Sequence, residues 1–441
     1  MDKRKQDIMP NKRLTFIDLF AGAGGLSEGF IKAGYAPVAH VEMKQDACNT
    51  LKTRAAFHYL KEHNRLDIYE NYLRNKHEGT DGSELWRQVP VDVTDRVIRE
   101  TIGEDTMEPL IARLEALAAG EPIDIIIGGP PCQAYSIAGR AKMGVNVRRD
   151  PRNYLYRYYL KFINHFSPKM FVFENVMGIT TAQTADMVKP FDDLRRIADE
   201  MGYEVEAQEQ VASDYEVLQH RHRMIIVGWK REDENHNPTG YHYPELVKVA
   251  NKYKTRTDIF ADLPERRNGD GKLCEIVHYT KPLYEMKYLE KTGIRGFFDF
   301  TTQHVTRNNN ERDREIYCIA IKAWKHKKRL NYATLPDRLK THKNTNSFLN
   351  RFNVVDPHGC CHTVVAHIAM DGHYYIYPSM KPTIENARSI SVREAARLQS
   401  FPDDYFFEGS RTSIYMQIGN AVPVMMSYHI AKALIPQLEG V

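Results

Sequence analysis

Residues 123–139, IDIIIGGPPCQAYSIAG, decide the fold of this chain. They begin with a short apolar, β-branched run, 123–127, which is typical of a strand buried on both faces of a parallel sheet. Gly128 and Gly129 end the run, and two prolines then stiffen the exit before Cys132. We therefore expect Cys132 just past the carboxyl end of a central strand, where open α/β sheets bind ligands. A packing cysteine and a nucleophile both fit this position.

Similar runs occur on both sides of this stretch. Those at 14–20, 36–42, 89–93, 169–176, 203–211 and 223–229 are also predicted to be strands. Helical patterns separate the strands, and acidic residues or Cys132 stand at the ends of five of the seven. The sequence therefore predicts an α/β fold, a doubly wound, Rossmann-like sheet with a site along its carboxyl edge.

A glycine-rich loop, residues 21–25, follows the first predicted strand. Gly22 and Gly24 fit the Gly-x-Gly-x-x-Gly fingerprint of dinucleotide-binding folds, but Ser27 stands at the third glycine position. The pattern Asp-x-Phe-x-Gly-x-Gly-Gly over 18–25 also resembles the S-adenosylmethionine loop of methyltransferases. Spacing alone leaves the two interpretations nearly balanced.

Charged residues follow three of the other predicted strands. Glu42 ends the second strand and could accept hydrogen bonds from the ribose hydroxyls of either cofactor. Glu174 ends the apolar strand next to that of Cys132. Desolvation there should raise its pKa, so that it could act as an acid near neutral pH. Arg221 and Arg223 alternate with histidines, which places both on one side of the chain.

Composition limits the class of protein. The chain has 441 residues, 42% of them hydrophobic, and a formal net charge of +4, which allows a nucleic-acid partner without requiring one. Its six cysteines show neither a Cys-x-x-Cys pair nor zinc-ligand spacing, so we expect a reduced, cytoplasmic setting and no metal. The charged amino terminus lacks an apolar core, and no run reaches the length of a membrane span.

The chain divides into regions of different character. Residues 46–88 are helical in pattern and heavily charged, and we interpret them as an insertion outside the sheet. From about residue 230 the alternation of strands and helices is lost, and basic patches occur at 322–329 and 338–343. These patches are typical of solvated helix faces, but two in one segment also fit a groove for a polyanion. We predict a first domain of residues 1–235 plus 411–441 and a smaller second domain of residues 236–410.

The ordered set of motifs resembles the DNA cytosine-C5 methyltransferases over most of the chain. The matching blocks are DLFAGAGG, the Glu42 strand, GGPPCQAYS, FENV, QHRHR, SVREAARLQSFPDDY and QIGNAVP. The last long block also contains a predicted helix start, with Ser391 as N-cap and Glu394 as its capping-box partner. One departure is residues 216–218, Glu-Val-Leu, where the family usually has Gly-x-Pro, and this affects the local turn.

The resemblance implies a role for each matched residue. Cys132 would be the nucleophile and Glu174 the acid that holds the target cytosine, while Arg221 and Arg223 would steady the base and that carboxylate. The S-adenosylmethionine pocket would be lined by Phe20, Gly22, Gly24, Gly25, Glu42, Met43, Asp92, Val93, Pro131, Leu155, Asn420 and Val422. DNA would be contacted by Gln133, Ser136, Arg140 and Thr363.

The resemblance also implies the reaction and its partners. The Cys132 thiolate would add to C6 of a cytosine that has been flipped out of duplex DNA, so that C5 can take a methyl group from S-adenosylmethionine. The second domain would recognise the target sequence, and the cationic loop after Cys132 would close on the phosphate backbone. We expect a monomer that does not associate with membranes. A restriction endonuclease that acts on the same site is a candidate partner.

Three alternatives remain to be compared with this interpretation. A transfer-RNA cytosine methyltransferase would share the catalytic motifs, but the long second domain with basic patches favours duplex DNA. A catalytically inactive DNA-binding regulator should have lost its nucleophile or cofactor loop, and here both are intact. A nicotinamide dehydrogenase is disfavoured because the third fingerprint glycine is missing.

Overall fold

The computed structural model describes residues 13–131, 151–184, 187–342 and 347–440. Its strands are β1 Thr15–Leu19, β2 Ala36–Glu42, β3 Val97–Arg99, β4 Ile125–Gly128, β5 Met170–Asn175, β6 Tyr203–Val211, β7 Gln219–His220, β8 His222–Lys230, β9 Val277–His278, β10 Phe300–Thr301 and β11 Cys361–His362. Its α-helices are α1 Gly25–Lys32, α2 Gln45–Glu62, α3 Leu66–Asn75, α4 Ser83–Trp86, α5 Val91–Asp95, α6 Met107–Ala118, α7 Leu155–Phe166, α8 Pro190–Glu200, α9 Lys287–Thr292, α10 Glu311–Lys325, α11 Val392–Leu398, α12 Arg411–Asn420 and α13 Val424–Glu439.

A seven-stranded sheet with the order β3-β2-β1-β4-β5-β8-β6 lies at the centre of the fold. Strands β1 to β5 are parallel, whereas β8 is antiparallel to both β5 and β6. Apolar side chains of α6, α7 and α8 pack on one face of the sheet, and those of α1 and α13 pack on the other. The predicted doubly wound α/β fold is therefore confirmed, because the central strands bury both faces.

The strand register aligns several strand ends along one edge. Leu19 of β1 pairs with Val41 on one side and with Gly128 on the other, and Gly128 pairs with Phe173 of β5. The residues that follow these four therefore lie in one row: Phe20, Glu42, Gly129 and Glu174. Because β8 runs in the opposite direction, its amino-terminal end, with Arg223, reaches this same edge.

The predicted strand at residues 89–93 is wrong. Pro90 is the N-cap of the short helix α5, and the third strand of the parallel set is β3, which is only three residues long. Val93 is 7% exposed and packs in a hydrophobic cluster with Phe57 and Phe406, far along the sequence. Tertiary contacts thus override the β-branched pattern of this segment.

The insertion predicted over residues 46–88 is held by the carboxyl-terminal part of the chain. Helix α2 runs without a break through Leu51, and Arg54 on it forms buried ion pairs with Glu28 and Asp404. Lys76, after α3, forms a buried ion pair of 3.1 Å with Glu408, and its ammonium group also donates to two backbone carbonyls. These helices therefore anchor residues 404–408 against the sheet domain.

Replacing Lys76 by methionine is expected to lower the free energy of unfolding by about 3–5 kcal/mol, because Glu408 then stays buried as an unpaired charge. Urea-induced unfolding followed by circular dichroism measures this loss. The double variant Lys76→Met/Glu408→Gln should recover part of it, since neither buried charge remains. Lys328→Met, at an exposed position, is the control. A single variant as stable as the wild type would contradict a strong buried pair.

Two hydrophobic clusters of the described residues lie mainly in the second region. One combines residues of the predicted second domain with Ala23 and Leu218 of the sheet domain, and it includes most of α11. The other, which we call the outer hydrophobic cluster, contains apolar side chains of α10 and of residues 330–387. The domain boundaries at 235/236 and 410/411 stay a prediction, and these contacts favour a first domain that also includes α11. In the described part of the chain no helix is long and apolar enough to cross a membrane.

Candidate active site

The loop after β1 adopts backbone conformations that favour glycine. Gly22 and Gly24 have φ values of 56° and 78°, and Phe20 before them has a φ of 60°. A Cβ on Gly25 would lie 2.3 Å from the carbonyl oxygen of Val422, so close packing on the carboxyl-terminal segment requires glycine there. At Gly22, by contrast, no neighbouring atom lies within 4 Å of such a Cβ, which leaves open space beside the loop.

Glu42 is oriented beside this open space by two backbone N–H groups. Its Oε2 accepts from the Gly22 N–H at 2.9 Å, and its Oε1 accepts from the Lys44 N–H at 2.7 Å. The side chain is largely buried, but a carboxylate can accept about four hydrogen bonds, so both oxygens keep capacity for a ligand. Met43, the next residue, is 46% exposed at the same edge.

A buried polar cluster below the loop was not predicted as part of the site. Asp18 accepts a hydrogen bond from Ser27, whose hydroxyl lies 3.2 Å from Nδ1 of His40. Burial raises the pKa of Asp18 to about 8 and lowers that of His40 to about 4, so both groups are mainly uncharged at pH 7. The signal in the sequence was an acidic residue inside an apolar strand.

The carboxyl-terminal segment packs directly on the glycine loop and α1. Ser427 of α13 donates to the Leu26 carbonyl at 2.5 Å, and a Cβ on Gly29 would lie 2.4 Å from the Ser427 side chain. Val422 is buried with its carbonyl against Gly25, whereas Asn420, at the end of α12, is exposed. The return of this segment to the first domain brings Val422 to the glycine loop, with Asn420 two residues before it.

Asp92 does not lie where the sequence analysis expected it. The residue is on α5, its side chain is 68% exposed, and its carboxylate lies 3.8 Å from Arg96. The acidic residue that follows the third strand is instead Glu100, whose N–H donates to the Glu42 carbonyl at 3.1 Å. Sequence reasoning missed Glu100 because β3 is too short to give a clear strand pattern. Val93, in the cluster of the insertion, is likewise removed from this edge.

Glu174 and Arg223 form an ion pair at the end of β5. The Arg223 Nε lies 2.6 Å from the Glu174 Oε1, and the two side chains are only 12–13% exposed. The guanidinium therefore balances the charge of the carboxylate. Oε1 makes no hydrogen bond with the described residues. A Cβ on Gly129 would lie 3.1 Å from the Glu174 Oε2, so the acid stands beside the GGPP exit of β4.

The exit of β4 is joined to the FENV strand end. The Asn175 side chain donates to the Pro130 carbonyl at 3.5 Å and accepts from the Val176 N–H at 2.9 Å. Pro131 and Leu155, both predicted to line the cofactor pocket, are partly exposed. The predicted nucleophile and three predicted DNA contacts lie outside the described residues: Cys132, Gln133, Ser136 and Arg140.

Arg221 and Thr363 come together at the start of β8. Arg221 is 1% exposed, and its guanidinium donates to the Val364 carbonyl at 2.7 Å. The Thr363 hydroxyl donates to the His220 carbonyl at 2.6 Å. The predicted alternation holds, since His220 and His222, which alternate with the two arginines, are exposed.

The departure from the family pattern at Glu216 has a local consequence. Glu216 has a φ of 59°, a conformation that favours glycine. Its carboxylate forms ion pairs with Lys291 at 2.5 Å and His429 at 3.1 Å. These contacts tie the turn to α9 and α13.

The two basic patches differ in the structure. Lys327, Lys328 and Arg329 are exposed at the end of α10, where they could meet a polyanion. In the second patch, Arg338 is paired with Glu315, so its charge is partly neutralised. Their aromatic neighbours, including the buried Tyr332, pack in the outer hydrophobic cluster and do not form a surface platform. Among the residues with described positions, no group of three or more potential ligands could hold a metal ion.

The fold and the row of polar groups along its carboxyl edge define an α/β methyltransferase. A solved structure of a DNA modification methyltransferase encoded within a prophage of E. coli superposes with a TM-score of 0.58 at 21% identity, covering 97% of this chain and 99% of that one. At this identity the similarity supports the fold alone.

The sequence comparisons identify the family. The C-5 cytosine-specific DNA methylase family matches residues 14–79 and 106–436, so the chain belongs to it. The type II methyltransferase M.Bpa9945I of Bacillus paralicheniformis is 40% identical over 457 residues, with 97% of this chain and all of the relative covered. M.DdeI of Desulfomicrobium norvegicum is 27% identical, with 97% and 90% covered. The protein is a sequence-specific DNA cytosine-C5 methyltransferase of the restriction-modification type.

Proposed function

We propose that this enzyme uses S-adenosylmethionine to methylate a flipped-out cytosine through a covalent bond between Cys132 and C6. The observation that carries the proposal is the row along the sheet edge, where Glu42, the exit of β4 and the Glu174–Arg223 pair are neighbours. Hydride transfer by a dehydrogenase would not require an ion pair of acid and guanidinium beside a Pro-Pro-Cys sequence.

The residues present fit S-adenosylmethionine. Open space beside Gly22 would admit the amino-acid part of the cofactor, and the oriented Glu42 carboxylate would accept from its ribose hydroxyls. Glu100 takes the place beside Glu42 that was expected for Asp92, and Asn420 would close the pocket from the carboxyl-terminal side. When bound, the cofactor supplies an electrophilic methyl group on a sulfonium.

The chain's own groups would prepare cytosine C5 for methylation. C5 is a poor nucleophile until addition of the Cys132 thiolate to C6 breaks the aromaticity of the ring and makes C5 enamine-like. Glu174, fixed by Arg223, would hydrogen-bond or protonate N3 and so stabilise the charge that develops on the ring. After methylation, loss of the C5 proton and of the thiolate releases 5-methylcytosine, and a water molecule can take the proton.

Duplex DNA is the substrate that these parts support. C6 is inaccessible in a stacked helix, so the base must leave it. The exposed cations at 327–329 would bind phosphates, and the second domain would read the major groove. The enzyme would act as a monomer in the cytoplasm, and a restriction endonuclease that cuts the same site would be its partner in a restriction-modification system.

Methylation-aware sequencing tests this proposal and also identifies the target. Genomic DNA from methylation-deficient cells that express the chain should contain 5-methylcytosine at one position of a short motif, and DNA from cells with the empty vector should not. Methyl transfer from labelled S-adenosylmethionine to the same DNA in vitro should follow. If transfer RNA is methylated and DNA stays unmodified, the alternative substrate is favoured and the proposal is contradicted.

A further inference from the structure

We propose that Arg221 is a positioning residue that couples the cofactor side of the active site to the loop at residues 363–366, which contains the predicted DNA contact Thr363. The inference rests on the proposed function, because it takes S-adenosylmethionine and duplex DNA as the two ligands. It assigns Arg221 a role different from direct contact with the target base.

The first observation is the position of the guanidinium. Arg221 is 1% exposed, and its Nη1 donates to the Val364 carbonyl at 2.7 Å and approaches the Gly419 carbonyl at 3.4 Å. Val364 belongs to the loop after β11, and Gly419 directly precedes Asn420 at the end of α12. One buried cation therefore holds backbone groups from both sides of the site.

The second observation is direct backbone packing between the same two segments. A Cβ on Gly419 would lie 2.4 Å from the backbone of both Val365 and Ala366. The loop is held on its other side by Tyr375, whose hydroxyl accepts from the Val365 N–H at 3.0 Å and donates to the Thr363 carbonyl at 2.9 Å. The loop and the end of α12 are therefore closely packed against each other along their backbones.

A pair of buried glutamines strengthens this connection. Gln219, two residues before Arg221, accepts from the Val364 N–H at 2.8 Å and donates to the Gln399 side chain at 2.9 Å. Gln399 in turn donates to the Ile418 carbonyl at 2.6 Å. A second hydrogen-bonded path thus joins the loop to α12 beside the direct one.

These contacts predict how the two ligands affect each other. A ligand that orders Asn420 fixes the end of α12, and close-packed backbone transmits that restraint to residues 363–366. Binding of one ligand should therefore strengthen binding of the other, and thermodynamic linkage makes the effect equal in both directions. Arg223, the next residue on the same side of the strand, meets Glu174, so the coupled segments adjoin the catalytic acid.

The test measures the dissociation constant of a DNA duplex carrying the methylated motif, with and without saturating S-adenosylhomocysteine. In the wild type, S-adenosylhomocysteine should lower the dissociation constant for DNA by a factor within the usual range of about 5–150. Arg221→Lys keeps the charge but loses the planar fork, so the factor should fall to about 2 or less. The Michaelis constants for both substrates should rise more than kcat falls.

Matched variants separate coupling from general damage. Tyr375→Phe removes two hydrogen bonds from the loop without altering Arg221, and it should also reduce the factor. Arg87→Lys and Gly296→Ala, at exposed positions away from the site, should keep it unchanged. Melting temperatures of all variants show which of them remain folded.

The outcomes are distinct. If folded Arg221→Lys and Tyr375→Phe proteins keep the wild-type factor, or if both affinities fall with the factor unchanged, Arg221 is only structural and the inference is wrong. The same holds if a wild-type enzyme that methylates DNA shows no coupling. A wild-type protein that binds neither probe and methylates no DNA would instead remove the proposed function, and the inference with it.

Discussion

Replacing Cys132 by serine is expected to reduce methyl transfer to DNA by about 10⁴-fold or more, as loss of a covalent nucleophile does in other enzymes. The physical reason is that a serine hydroxyl at neutral pH is far less nucleophilic than a thiol with a few per cent of thiolate. Without addition to C6, the ring stays aromatic and C5 stays unreactive. Initial rates with labelled S-adenosylmethionine and DNA measure the loss.

DNA containing 5-fluorocytosine gives the same prediction a covalent readout. Fluorine at C5 cannot leave as a cation after methylation, so the bond between Cys132 and C6 persists and the adduct survives denaturing electrophoresis. The wild type and a Cys274→Ser control should form the adduct, and Cys132→Ser should not. Binding of S-adenosylhomocysteine should be unchanged in Cys132→Ser. An adduct formed by this variant, or none formed by the wild type, would contradict the mechanism.

Glu174→Gln is expected to lower kcat by about 10²–10⁴-fold, the usual range for loss of a general acid. A glutamine keeps the shape of the side chain beside Arg223, but it cannot deliver a proton to N3 or carry the charge that balances the guanidinium. The change in kcat should therefore exceed the change in the Michaelis constant for S-adenosylmethionine. Single-turnover methylation separates the chemical step from DNA binding and product release.

Glu204→Gln provides the matched control for this variant. Glu204 is exposed on β6, away from the carboxyl edge, so the same change in charge should leave kcat within about twofold of the wild type. A Glu174→Gln enzyme with wild-type kcat would mean that the acid beside the β4 exit does not take part in the chemistry.

Much of the sheet could be predicted from local patterns. Strands β2 and β6 have the predicted bounds, β1, β5 and β8 differ from theirs by one residue at each end, and β4 begins two residues later and ends one residue later than predicted. These strands are long apolar or alternating runs, whose period is set by burial on the sheet. The capping box of Ser391 and Glu394 is also confirmed, because both of its hydrogen bonds are local.

The site was predictable only where a residue's position follows from its own strand. Glu42 and Glu174 lie at strand ends, and parallel register brings such ends together. Asp92 was misplaced because packing against Phe406, over 300 residues away in the chain, selects a helix for its segment. Arg221 was assigned to the correct side of the strand, but its backbone partners come from segments whose approach no local pattern encodes.

The packing of the last helix on the first has a consequence for biosynthesis. The hydrogen bond from Ser427 to Leu26 closes a loop of 401 residues, so α1 acquires this neighbour only after residue 427 has left the ribosome. Contacts of such sequence separation form slowly. A nascent chain released before α13 would leave apolar side chains of α1 without their partners on that helix. Premature termination should therefore yield protein that cannot mark the host chromosome, and in a cell that also makes the matching nuclease such products would offer no protection.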